Sequence, residues 1–391
     1  MSAAVDSPLA LGLFRFGMRQ VWMFELIDAL PLFITLPFIL PLAIISLAIG
    51  HLFQLSRRIR HGSVHGPGAG SGRVLRTPDE CFANLPDYPF EPHYWEHDGR
   101  RLHYIDEGAG QGDDGGEVVL MLHGEPTWSF LYRKVVPQLV AKGYRVVCPD
   151  ALGMGKSDKP LDPEQYTFAK HAAAVAALCD RLGLGPDRCR LTLVLHDWGG
   201  VYGQAALPQI QPKRLVLLNT IPGPSKLPEC GTDYKLALGF SLWSASVRAV
   251  GRDFDLRAMM PSMIFPSGSS DTVPAAVIDG YAAPFPGPEY KGLAMTWPLV
   301  YAHGPKKVGE LLKGAHKWAW QNYEGPVLIA MGTSDALFNG RKSEPRVREW
   351  LAKASAIERI DIENASHFVS EAQPDAVAAA INGFIARHAD V

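Results

Sequence analysis

The chain has 391 residues, of which 47% are hydrophobic and 20% charged, with 38 lysines and arginines against 40 aspartates and glutamates. A net charge of −2 with this apolar content excludes a disordered chain and disfavours a nucleic-acid-binding protein, which carries a basic excess. The length is sufficient for one large domain or two ordinary ones. The five cysteines show no C-x-x-C spacing, so neither a disulfide framework nor a zinc site is predicted.

The N-terminal segment differs in composition from the rest. Residues 29–56 carry no charge, and 19 of these 28 residues are apolar. As a helix this run would be roughly 42 Å long, more than the hydrocarbon core of about 30 Å requires, although its three prolines favour a bend. We predict a membrane anchor over 1–60 and a Gly/Ser linker over 61–72. A cleaved signal peptide and a peripheral helix are the alternatives.

The arginines on either side of this run indicate an orientation. Three arginines, at 57, 58 and 60, follow the run, and two, at 15 and 19, precede it. The positive-inside rule therefore places the remainder of the chain in the cytoplasm, attached to a lipid bilayer.

Beyond the linker, strand patterns alternate with helical patterns. Helices are predicted over 168–182 and 200–207, and this alternation predicts an α/β fold with a mostly parallel sheet covered by helices. A segment rich in proline, glycine and aromatic residues interrupts the rhythm, and we interpret 221–315 as a helical cap inserted between core segments 73–220 and 316–391. The predicted strands are Glu117–Leu122, Tyr144–Pro149, Leu191–Leu195, Arg214–Leu218, Val327–Ala330 and Ile357–Ile362.

The strongest chemical signal lies at the end of one predicted strand. Residues 193–200 read LVLHDWGG, so an apolar strand meets a glycine-containing helix start at Asp197. This is where α/β hydrolases place their nucleophile. A carboxylate there can attack carbon and form an ester that is hydrolysed later. The alternative is that Asp197 is only a helix N-cap.

Three further candidates also follow predicted strands. Glu125 lies in a His-Gly-Glu loop, Asp335 follows 327–330, and His367 follows 357–362. Because the carboxyl ends of parallel strands meet at one edge of the sheet, we expect these residues to approach Asp197. The order Asp197, Asp335, His367 is that of nucleophile, acid and base in this fold. His367 would activate water and Asp335 would orient its imidazole. Taken singly, each residue also suits an ordinary loop.

Over residues 73–391 the chain resembles the haloalkane dehalogenases. The resemblance includes HGEPTWSFLYRK at 123–134, GKSDKP at 155–160, HDWGG at 196–200 and GYAAPFP at 280–286. It implies an α/β-hydrolase fold with a mostly parallel eight-stranded sheet and an inserted cap. It also implies hydrolysis of haloalkanes to an alcohol, halide and a proton, with water as co-substrate and no metal or cofactor. The aspartate displaces halide and forms an alkyl ester, which water activated by the histidine then cleaves.

Two positions distinguish the subgroups of this family. The strand at 214–218 is followed by Asn219 rather than by an acid, and Asp335 is present. Glu125 stands where another subgroup has a halide-binding asparagine. By resemblance, both features point to subgroup I, in which two tryptophan indoles bind the halide ion.

The resemblance assigns further roles around the nucleophile. Trp198 matches the first halide-binding tryptophan, and Trp243 in the cap is our candidate for the second, with Trp297 and Trp318 as rivals. An indole N–H is a suitable donor to halide in a dry pocket. The backbone amides of Glu125 and Trp198 would form the oxyanion hole. The predicted substrate pocket contains Trp297, Pro298, Leu337, Phe338 and Phe368.

Two other functions remain open. An epoxide hydrolase can use the same Asp/His/Asp set, but it normally has an aromatic residue after His-Gly and two cap tyrosines as proton donors. This chain has Glu125 at the first position, whereas cap tyrosines are present at 234, 281, 290 and 301. A membrane-tethered, non-catalytic hydrolase-fold protein is the alternative from another class.

Overall fold

The computed structural model describes residues 72–108, 110, 116–221, 223, 252, 255–266, 269–294, 296–297, 305–335, 338 and 340–391. The predicted anchor, most of the linker, and Trp243, Pro298 and Leu337 lie outside these residues. Within them, no helix is long and apolar enough to cross a membrane.

A mixed sheet of eight strands forms the centre of the described residues. The strands are β1 (Val74–Leu75), β2 (His93–His97), β3 (Arg100–Glu107), β4 (Glu117–Leu122), β5 (Arg145–Pro149), β6 (Lys159–Pro160), β7 (Arg190–Asp197), β8 (Arg214–Thr220), β9 (Val327–Gly332) and β10 (Ile357–Ile362). The order in the sheet is β10-β9-β8-β7-β4-β5-β3-β2. Neighbouring strands are parallel in the part β10-β9-β8-β7-β4-β5, whereas β3 pairs antiparallel with both β5 and β2. A separate two-stranded pair, β1 with β6, is antiparallel.

Helices connect and cover these strands. The helices are α1 (Val136–Val140), α2 (Phe168–Leu182), α3 (Trp198–Ile210), α4 (Leu256–Ile264), α5 (Ala275–Ala282), α6 (Pro305–Asn322), α7 (Gly340–Trp350), α8 (Val369–Ala372) and α9 (Pro374–Arg387). Helix α3 packs against α2 and α6 and against strands β7, β8 and β4, whereas α9 packs against α1, β9 and β10.

The central strands are buried along most of their length. Every residue of β8 and β9 is buried, as are all but the first of β4 and of β7. Strands buried on both faces read as continuous apolar runs rather than as alternating patterns, which is why the sequence predicted them well. The edge strand β10 is mostly half-buried. The predicted α/β-hydrolase fold with its eight-stranded, mostly parallel sheet is confirmed.

The described part of the predicted cap is helical and is bonded to the core. Helix α6 runs through the predicted boundary at 315, and the domain division stays a prediction. From α5, the Tyr281 hydroxyl donates to the Glu371 carboxylate at 2.7 Å. The buried guanidinium of Arg133 also binds Glu371, as does Lys134 at 3.0 Å. Because Glu371 belongs to α8, this cluster joins a cap helix to the segment that follows His367.

Candidate active site

A sharp turn at the carboxyl end of β7 presents Asp197. Its φ of 51° and ψ of −125° leave the strand conformation abruptly, and α3 begins at the next residue. The turn lies tightly against β4, since a Cβ added at Gly199 would lie 2.4 Å from the carbonyl oxygen of Leu122. The glycine after Trp198 is therefore a steric requirement of this turn. The Thr220 hydroxyl donates to the Asp197 carbonyl oxygen at 2.6 Å and fixes the turn from β8.

The two oxygens of the Asp197 carboxylate have different partners. Oδ1 accepts the backbone N–H of Glu125 at 2.8 Å, and the carboxylate also accepts the backbone N–H of Trp198. Oδ2 lies 3.2 Å from Nε2 of His367. A Cβ at Gly124 would lie 2.2 Å from Oδ1, so a larger residue would obstruct the approach of this loop to the carboxylate.

His367 lies between two carboxylates. Its Nδ1 is 2.9 Å from Oδ2 of Asp335, on the side opposite Asp197. Its loop is held by α4, a helix within the predicted cap, because the amides of Ser366 and Phe368 donate to the last carbonyl groups of α4, at 3.1 and 2.7 Å. The structure therefore brings Asp197, Asp335 and His367 together in the order predicted from the sequence.

The electrostatics of this cluster follow from burial and pairing. Burial alone disfavours an imidazolium, but the charges of Asp335 and Asp197 and their hydrogen bonds outweigh it and raise the pKa of His367. Burial likewise opposes the charge of Asp197, yet bonding to His367 keeps the pKa of Asp197 below its usual value. Both shifts favour an imidazolium form of His367 beside an ionised Asp197.

Three supporting residues were not identified from the sequence. Asn219 donates to Oδ2 of Asp335 at 2.6 Å and accepts the Gly332 amide at 3.0 Å, which fixes the orientation of both side chains. The sequence had shown Asn219 only as a position without an acid. His196 bonds the His367 carbonyl oxygen at 2.9 Å, and burial lowers the pKa of His196 to about 4. His123 holds its own loop, because Nε2 accepts the Ala151 amide and Nδ1 lies 2.8 Å from the Gly124 carbonyl oxygen.

Aromatic side chains surround the nucleophile and the histidine. Trp198 and Trp297 both stack on Phe168, with ring centroids 5.4 and 5.2 Å away. The Trp297 N–H donates to the Tyr166 carbonyl oxygen at 3.2 Å, so this donor is already engaged. Phe338 stacks against His367 at 5.7 Å, and the Phe368 ring lies 5.4 Å from the same imidazole. Three of the predicted pocket residues, Trp297, Phe338 and Phe368, therefore lie next to Trp198 or His367. Within the described ranges, no cluster of three or more His, Cys, Asp and Glu side chains is arranged to hold a metal ion.

The charge of Asp197 controls the protonation of His367, which can be tested. In Asp197→Asn the imidazole loses one of its two anionic neighbours, so its pKa should fall by roughly one to three pH units. Nitrogen NMR of histidine-labelled protein measures this change. Asp279→Asn, which alters an exposed carboxylate of the cap, is the matched control and should leave the His367 titration unchanged. An unaltered His367 pKa in Asp197→Asn would contradict this account.

Comparison with known proteins agrees with this geometry. Residues 119–380 match the model of the alpha/beta hydrolase family. A haloalkane dehalogenase of Psychrobacter cryohalolentis is 33% identical over 80% of this chain and 98% of its own length. One from Mycobacterium marinum is 34% identical over 76% and 95%. The solved structure of a haloalkane dehalogenase from Paraglaciecola agarilytica covers 78% of this chain and 96% of its own, with 30% identity and a TM-score of 0.65. The chain belongs to the haloalkane dehalogenases of the alpha/beta hydrolase family.

Proposed function

We propose that this protein hydrolyses haloalkanes to an alcohol, halide and a proton through an alkyl ester on Asp197. The observation that carries the proposal is the divided environment of the Asp197 carboxylate. Oδ1 accepts the backbone amide of Glu125, whereas Oδ2 faces His367. One oxygen is thus held where an ester carbonyl oxygen would be stabilised, and the other is placed as the attacking atom.

The first step is displacement of halide. Oδ2 of Asp197 attacks the carbon that carries the halogen, a C–O bond forms, and the C–X electron pair leaves with the halide. Oδ1 then becomes the carbonyl oxygen of the ester, and the amides of Glu125 and Trp198 form its oxyanion hole. The carboxylate must be ionised to attack, and the lowered pKa of Asp197 satisfies this condition.

The second step is hydrolysis of the ester. Formation of the ester removes the negative charge of Asp197, which is one of the causes of the raised pKa of His367. The pKa of His367 therefore falls in the ester form, and the imidazolium releases to solvent the proton that appears among the products. The neutral imidazole then accepts a proton from water and directs the resulting hydroxide to the ester carbonyl carbon. Asp335 stabilises the imidazolium that forms again. The acyl carbon–oxygen bond breaks, and the departing alkoxide takes the proton of the new Asp197 carboxyl group, which releases the alcohol and regenerates the carboxylate.

We propose that the halide is held by Trp198 and, from the cap, by Trp243. Trp198 is buried beside the nucleophile, and its aromatic neighbours exclude water from this side of the site. The rival Trp297 donates its N–H to a backbone carbonyl oxygen, that of Tyr166, whereas the Trp198 N–H donates to the side chain of Glu125. A side-chain acceptor has rotatable bonds and can release this N–H to halide more readily than a backbone carbonyl, which favours Trp198. The use of Asp335 as the acid, with Asn219 as its amide partner, supports subgroup I. Pro298 and Leu337 remain proposed pocket residues beside Trp297, Phe338 and Phe368.

The contacts of Tyr281, one of the cap tyrosines, argue against the epoxide hydrolase alternative. An acid that protonates an epoxide oxygen needs a hydroxyl directed at the substrate. The Tyr281 hydroxyl instead donates to Glu371, inside the buried ion cluster. The relatives at 33% and 34% identity are named as dehalogenases.

Halide release tests this function, with 1,2-dibromoethane as substrate and styrene oxide as the epoxide comparison. Asp197→Asn should release no halide, because an amide does not displace it. His367→Phe should form the ester without hydrolysing it, so mass spectrometry should find the alkyl group on Asp197. His388→Gln, a histidine on the outer end of α9, is the control and should retain activity. Styrene oxide opening without any halide release would contradict the proposal.

We also propose that the N-terminal segment attaches the enzyme to a membrane, with the catalytic part in the cytoplasm. The uncharged run 29–56 supports this proposal. The Psychrobacter relative is matched over 98% of its length by 80% of this chain, so a fifth of the chain lies outside that match.

Fractionation tests the attachment. The full chain should sediment with membranes and require detergent for extraction, because 29–56 is apolar, whereas a shortened chain beginning at Arg73 should remain in the supernatant. Detergent-free recovery of both chains in the supernatant would refute the attachment.

A further inference from the structure

Glu125 has a buried carboxyl group that the catalytic steps above leave unused. Its backbone amide bonds Asp197, but its side chain extends to Trp198, whose indole N–H donates to the carboxyl group. The residue is only 7% exposed. One carboxyl oxygen, Oε2, is buried and has no hydrogen-bond partner. A buried polar atom without a hydrogen bond costs free energy of folding, unless a ligand or water molecule forms that bond.

Burial and the neighbouring charges favour the neutral acid form of Glu125. The site already holds the carboxylates of Asp197 and Asp335 with one cation, His367. In the described ranges no lysine or arginine bonds Glu125. Burial, followed by the charge of Asp197, raises the pKa of Glu125 well above its usual value. A carboxylic acid kept neutral at ordinary pH can donate a hydrogen bond, which a carboxylate cannot do.

The reaction supplies an acceptor for this donor. Displacement by Asp197 releases an anion in the space beside the nucleophile, where the Trp198 N–H is the predicted donor. Since that N–H is bonded to the Glu125 carboxyl group, both donors can turn to the same anion. We propose that Glu125, in its protonated form, is a halide ligand that donates its O–H to the departing ion beside the Trp198 indole. This inference rests on the proposed dehalogenase function.

Ionisation of Glu125 would turn its favourable effect on halide binding into an unfavourable one. The carboxylate has no proton to donate and repels an anion, so halide binding requires the acid form. Affinity for halide should therefore weaken as pH rises through the Glu125 titration, approaching tenfold per pH unit. The charge of Asp197 acts on the Glu125 carboxyl group, and Asp197 in turn interacts electrostatically with His367, His196 and His123. Their titrations must be separated from that of Glu125.

Bromide binding to the full chain, measured by calorimetry between pH 5 and pH 9, tests this role. Glu125→Gln keeps a neutral donor of the same shape but does not titrate, so it should bind bromide at low pH within about threefold of wild type. Glu125→Met has no donor and should bind roughly tenfold or more weakly, because a hydrogen bond to an ion is lost. Wild type should take up a proton with bromide above the Glu125 pKa, and Glu125→Gln should lose that uptake.

Matched variants separate the other titrating groups. His367→Phe removes the imidazole but retains Glu125, so it should still show the proton uptake. The proposal is wrong if Glu125→Met binds bromide as tightly as wild type. It is also wrong if Glu125→Gln takes up a proton with bromide as wild type does. Release of halide from 1,2-dibromoethane by wild type is measured alongside. If wild type releases halide and the Glu125 variants bind bromide normally, only the Glu125 role fails. If wild type releases none, the proposed function fails as well.

Discussion

The site depends on one interaction, the placement of the His367 imidazole between the carboxylates of Asp197 and Asp335, at 3.2 and 2.9 Å. This arrangement favours the ionised form of the buried Asp197 and the protonated form of His367. In the proposed mechanism, esterification of Asp197 removes one of the two negative charges, so His367 loses its proton and becomes a base. The same charge thus regulates both chemical steps, because its loss in the first step prepares the second.

The surrounding strands and helices hold Asp197, Asp335 and His367 in position. The parallel strands β7, β9 and β10 deliver Asp197, Asp335 and His367 to one edge of the sheet. The cap contributes as well, since carbonyl groups of α4 bind the amides on either side of His367. The cluster of Arg133, Glu371 and Tyr281 ties another cap helix to the next turn of the chain. Helices α4 and α5, which lie within the predicted cap, therefore help to position the loop that carries His367.

Local patterns predicted the parts of the fold and site that are themselves local. The apolar runs predicted β4 and β10 with their observed bounds, as the helical pattern did for α2, because those segments are buried in regular ways. Asp197, Asp335 and His367 could be named as candidates because each lies at or shortly after the end of such a run. Asn219 and the Glu125 side chain acquire their roles only from partners distant in sequence, Asp335 and Trp198. Trp243 was assigned within a cap of irregular composition and remains a prediction.

The central claim is that Asp197 forms a covalent ester whose carbonyl carbon is attacked by water. A single turnover of 1,2-dibromoethane with enzyme in excess, in water enriched in oxygen-18, tests it most directly. The account predicts that the label enters the Asp197 carboxylate, whereas the first alcohol carries unlabelled oxygen from that side chain. Labelled alcohol in the first turnover, with Asp197 unlabelled, would show that water attacks the substrate directly and would contradict the account.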